Sequence, residues 1–69
     1  MTKKNLLESK MKLFGDTQSD LATALGIRVS TFNEKLNGTH GCQFKQREIQ
    51  IIKDRYNLTN EEVGLIFFN

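Results

Sequence analysis

The densest run of chemically capable side chains lies between residues 30 and 35, where Ser30, Thr31, Asn33, Glu34 and Lys35 bring together hydroxyls, an amide, a carboxylate and an ammonium. Phe32 and Leu36 stand four apart and share the inward side of a helix, which leaves those polar groups largely outward. A polar helix of this kind, preceded by a short amphipathic helix and a tight turn, can be laid in a DNA groove. Residues 17 to 38, TQSDLATALGIRVSTFNEKLNG, have that layout. Other chemistries are poorly provided for. His40 and Cys42 offer two metal ligands where a metal centre needs several at suitable spacing, and Cys42 has no evident base to activate it as a nucleophile. Gly38-Thr39-His40-Gly41 lacks the lysine and the strand context of a phosphate-cradling loop. The expectation is a chain without catalytic residues, metal, cofactor or small-molecule substrate.

The elements that position this face read as helices throughout. Leu7, Met11 and Phe14 recur at helical spacing between about Lys3 and Phe14, flanked by Leu6 and Leu13, and Gly15 closes this first helix. Thr17 has the character of an N-cap, with Asp20 three residues on in a variant of the capping box, and Leu21, Ala22 and Leu25 form the inward side of the second helix. Gly26 permits the left-handed conformation that a sharp reversal needs. The third helix is expected over about Val29 to Asn37, ended by Gly38, with Thr39 to Phe44 as a loop. Ile49, Ile52 and Tyr56 carry a fourth helix over Lys45 to Tyr56. Thr59-Asn60-Glu61-Glu62 is a capping box with Leu58 and Val63 placed as its hydrophobic staple, and the fifth helix runs from there nearly to Asn69. The isoleucines at 49 to 52 could nucleate a strand, but Lys, Arg, Glu and Gln surround them at helical spacing.

Length and charge bound the rest. A chain of 69 residues has room for one domain, 1–69, and a core of this size rarely supplies more than about 3 to 5 kcal/mol. The net charge is +2 and the sequence pI about 8.9, mildly basic and far from polycationic. The excess sits at the start: Lys3, Lys4, Lys10 and Lys12 face only Glu8 before residue 16, and the remainder holds six basic against seven acidic side chains. The single cysteine cannot form an internal disulfide, which suits a reducing, cytoplasmic setting. No apolar run approaches the roughly 20 residues that span a bilayer, and the Lys-rich start precedes amphipathic sequence rather than a signal-peptide core. No proline, repeat or low-complexity segment marks a linker.

Gln18, Leu21, Ala22, Leu25, Gly26, Ile27, Ser30, Thr31, Phe32, Leu36, Asn37 and Gly38 resemble the helix-turn-helix of the lambda-repressor-like, Cro-type family of phage and bacterial regulators. The segment FKQREIQIIKDRYNLTNEEVGLIFF is similar to the last two helices of small members from phages and mobile elements. The resemblance implies an all-α, compact five-helix domain that lays its second motif helix in the major groove of double-stranded DNA while the first abuts the backbone. Carried onto this chain, it makes Arg28, Val29, Ser30, Asn33 and Glu34 candidate base readers and Thr17, Gln18 and Asn37 candidate phosphate contacts. Arg28 can fork to guanine, Asn33 pair with adenine, Val29 meet a thymine methyl and Glu34 accept from cytosine. Thr31 and Lys35 add a hydroxyl and a positive charge. Two positions depart from the family pattern: Arg28 stands where Ser or Thr often caps the reading helix, and the inward aliphatic is often at the position of Lys35 rather than Leu36.

A second candidate surface lies at the C-terminus. On a helical wheel Val63, Ile66 and Phe67 fall together, whereas Leu65 and Phe68 fall nearly opposite, and Ile51 points away from the Ile49, Ile52 and Tyr56 stripe. Large apolar side chains outside so small a core suggest an interface. A second copy there gives a homodimer that reads a palindromic site; a cognate repressor protein there makes the chain a modulator or antirepressor. The near-neutral helix pair, Arg28 and Lys35 against Asp20 and Glu34, keeps the second option open, because non-specific DNA affinity comes largely from phosphate neutralisation.

Overall fold

A computed structural model describes residues 2–68, and over these the chain is all-helical, with no strand. The elements are α1 (Lys4–Leu13), α2 (Gln18–Leu25), α3 (Val29–Asn37), a single 3₁₀ turn (Thr39–Gly41), α4 (Gln46–Arg55) and α5 (Asn60–Phe67). No helix among the described residues is long and apolar enough to cross a membrane. Several boundaries follow from local signals. The Asp20 N–H donates to Thr17 Oγ1 at 3.1 Å and the Thr17 N–H donates back to Asp20 Oδ2 at 3.0 Å, so the shorter acid still closes the expected box. Gly26, at φ 74°, ends α2 in the left-handed region, and the Ile27 N–H turns back to the Ala22 carbonyl at 3.0 Å. Thr59 and Glu62 cap α5 in the same reciprocal way.

The core gathers one face of every helix. Leu7, Leu21, Leu25, Phe32, Leu36 and Ile52 are its largest fully buried members. Phe14 departs from the expected stripe: α1 ends at Leu13, so helical periodicity no longer carries Phe14 inward, and it lies half exposed against Tyr56 with ring centroids 5.1 Å apart. Phe44 departs the other way. It lies in the connection before α4, yet it is buried and meets Phe32 and Phe67 edge-on, each at 5.7 Å.

Three ion pairs fasten elements that are distant in sequence. Lys10 of α1 meets Glu62 of α5 at 2.6 Å, Arg55 of α4 grips Asp16 in the α1–α2 turn at 2.6 and 2.9 Å, and Lys35 of α3 meets Glu48 of α4 at 2.7 Å. All three carboxyls ionise more readily in the fold than in the unfolded chain. The Arg55 hydrogen bonds lower Asp16, aided by the Tyr56 hydroxyl, and the Lys10 ammonium lowers Glu62. Burial alone would raise Glu48, but the Lys35 ammonium and the Lys45 N–H outweigh it and hold it low. A depressed folded-state pKa contributes stability that is fully present above the unfolded value and is lost as pH falls through the folded one. The melting temperature is therefore expected to hold level down to about pH 5 and to fall below about pH 4, less steeply in Asp16→Asn, as followed by circular dichroism.

Candidate nucleic-acid interface

The polar face of α3 exists because three residues on the other side of the helix are taken into the protein. Phe32, Lys35 and Leu36 are buried, which leaves Ser30, Glu34 and Asn37 exposed, with Val29 at 40% exposure and Asn33 partly covered. Thr31 sits at the margin, also partly covered. Arg28 precedes the helix in extended conformation, exposed, and its side chain makes no cap. The start of α3 thus carries a long cation where a hydroxyl would otherwise close the helix, and that cation is available to a ligand.

Lys35 is a correction to the sequence reading. It was expected on the outward face; it is 8% exposed, and its Nζ donates to both Glu48 oxygens, at 2.7 and 2.9 Å. The inward stripe of α3 is wider than the Phe32 and Leu36 spacing implied, since residue 35 lies 100° from residue 36 and beside residue 32 on the wheel. A charge in that position needs a buried partner. Glu48 supplies it, while its Oε1 also accepts the Lys45 N–H at 2.8 Å.

The two outward amides are partly engaged. Asn33 Nδ2 donates to the Val29 carbonyl at 3.2 Å and Asn37 Nδ2 to the Asn33 carbonyl at 2.9 Å. A bidentate contact between Asn33 and adenine therefore requires its bond to the helix to be given up. At the start of α2, Thr17 Oγ1 accepts the cap bond and keeps its own O–H to donate, beside half-covered Gln18. That end of α2 is anchored through Asp16, which receives Arg55 and, at 2.7 Å, the Tyr56 hydroxyl. Burial and the bond to Asp16 push the Tyr56 phenol far above its ordinary pKa, so it remains a donor.

Two cations not singled out from the sequence stand at the start of the next long helix. Lys45 and Arg47 are exposed at the start of α4, which the Lys35–Glu48 pair fixes against the last turn of α3. Their proximity to one another was legible as Lys45-Gln46-Arg47; the Lys45 backbone is tied toward α3 by an ion pair 13 residues long in sequence, through the Glu48 oxygen that accepts its N–H, whereas Arg47 lines the groove between α4 and α5 with Lys53 and Phe68. With Lys35 neutralised, the α2–α3 segment itself presents Arg28 against Asp20 and Glu34.

The C-terminal candidates fall into different surroundings. Ile51 is corrected: it is only partly exposed and packs against the core. Leu65 and Phe68 remain exposed at 50% and 63%. They lean to opposite flanks of α5, Leu65 lining a hollow toward α1 and Phe68 a broader groove toward α4 with Ile49, Lys53 and Val63. Among the described residues no cluster of three or more metal-ligating side chains occurs. Comparison with protein-family models, with curated proteins and with solved structures gave no match to this chain.

Proposed function

We propose that the chain is a sequence-specific DNA-binding transcriptional regulator of the lambda-repressor-like helix-turn-helix type, from a phage or mobile element and acting in the cytoplasm. The observation that carries this reading is the one-sided polar face of α3, with Arg28, Val29, Ser30, Asn33, Glu34 and Asn37 accessible on a helix whose other side is buried. In this reading α3 enters the major groove. Arg28, Val29, Ser30, Asn33 and Glu34 meet base edges, Thr31 adds a hydroxyl at the margin, and Thr17, Gln18 and Asn37, joined by Lys45, contact phosphates. A homodimer would double those contacts on a palindromic site.

Selection from a pool of random-sequence duplexes at controlled salt tests it. An enriched motif is expected, with Asn33→Ala costing about 1–3 kcal/mol at one base position and Lys45→Ala weakening all sequences alike while lowering the salt slope by about 1. Failure to enrich any motif overturns the reading. The modulator reading has one observation in its favour: with Lys35 held by Glu48, α2 and α3 carry more acidic than basic exposed charge. A stable complex with a cognate repressor, in a chain that selects no duplex, would establish that reading instead.

A further inference from the structure

Leu13 is the most exposed large apolar side chain among the described residues, at 74%. Leu6, seven positions earlier on α1, is 43% exposed. Seven residues make about two helical turns, so both side chains leave the same outward side of α1, about 10 Å apart along its axis. Ser9, small and exposed, lies between them. Beside Leu6, α1 and α5 leave a hollow of about 140 Å³ lined by Leu6, Ser9, Lys10, Glu62, Leu65 and Ile66. Its two charged groups, Lys10 and Glu62, neutralise each other at 2.6 Å.

We infer that α1 docks antiparallel on α1 of a second copy of this chain, about a two-fold axis passing near Ser9 and Lys10. One face carries both a protruding leucine and a hollow, two turns apart. An antiparallel copy therefore sets each Leu13 over the hollow beside the other's Leu6, and both contacts form at once, as a closed two-fold interface requires. Shape selects a second copy as the occupant, since the same face supplies both the knob and the hollow that receives it, and the charge distribution does not oppose it. Groups on a two-fold axis face their own equivalents, so a bare charge there would repel itself; here the centre holds an uncharged serine and a lysine already neutralised by Glu62. Ser9 also leaves room for the two helices to approach. The face is small, so the dimer is concentration-dependent rather than permanent. Phe68, on the other flank of α5, takes no part.

Sedimentation equilibrium of the full chain over a range of concentrations tests this. A reversible dimer is expected, and Leu13→Glu should weaken it at least about tenfold without changing the helical spectrum, because an exposed side chain contributes little to the fold. Phe68→Ser should leave the dimer intact. In a Cys42→Ser background, Ser9→Cys is expected to form a disulfide-linked dimer under mild oxidation far faster than Asn5→Cys, which lies off the axis. A monomer at every concentration, a dimer indifferent to Leu13→Glu, or equal cross-linking at the two positions would each overturn the inference.

Discussion

Lys35→Met is expected to leave most of the chain unfolded at neutral pH. The substitution keeps the length and bulk of the side chain but strands the Glu48 carboxylate, which is 3% exposed and loses both Lys35 hydrogen bonds. Breaking a buried pair by removing one partner typically costs about 3–5 kcal/mol, comparable to the whole of the roughly 3–5 kcal/mol that a core of this size supplies. The pH response identifies the cause. Without Lys35 only the Lys45 N–H and charge oppose the effect of burial, so the Glu48 pKa rises from its native position and the variant is expected to lose less stability than the native chain as pH falls. The double variant Lys35→Met with Glu48→Met should regain native stability or exceed it, since apolar groups of similar volume fill the site without desolvating charge. Urea titrations at two pH values measure all of this. A single variant as stable as the native chain would show that the pair is open to water.

Phe44→Ala is the second substitution with a large expected effect, about 3–5 kcal/mol by the usual cost of deleting a buried aromatic ring. The ring is 7% exposed and links Phe32 of α3 to Phe67 of α5 by two edge-on contacts. Its loss opens a cavity between two helices that have no other aromatic bridge among the described residues. Phe44→Leu should recover part of the stability by refilling that space, as thermal melts would show, and a cost below about 1 kcal/mol for Phe44→Ala would mean that the connection collapses onto the gap.

These two residues also show where sequence reasoning stops. Helices were legible because their signals are local: Thr17 with Asp20, Thr59 with Glu62, and Gly26 and Gly38 each act within a few residues of themselves. Phe44 carries no such signal. It stands in an irregular connection with no period to assign it a face, and only its place between Phe32 and Phe67 makes it core. Lys35 was misplaced for the related reason that a charged residue is ordinarily assigned to solvent, and the partner that reverses this lies across a loop. Ile51 shows the wheel's own tolerance, since a residue just off the inward stripe of a short helix can still be covered by its neighbours. On α3 the outward placement of Ser30 and Glu34 was readable from the two apolar residues alone, because the 3.6-residue period fixes the opposite side once one side is known; the same reading puts Thr31, Asn33 and Lys35 outward, of which the first two are partly covered and the last is buried.

The fastening of α3 has a thermodynamic consequence. The helix is bracketed by left-handed glycines at 26 and 38, begins two residues after Ile27, which packs against the core, and is held to α4 near its end by the Lys35–Glu48 pair. A segment so constrained has already lost its conformational freedom before any ligand arrives. Engagement of its outer face should therefore show, in calorimetry, a heat-capacity change set by the surface covered, without the larger increment that accompanies folding on binding.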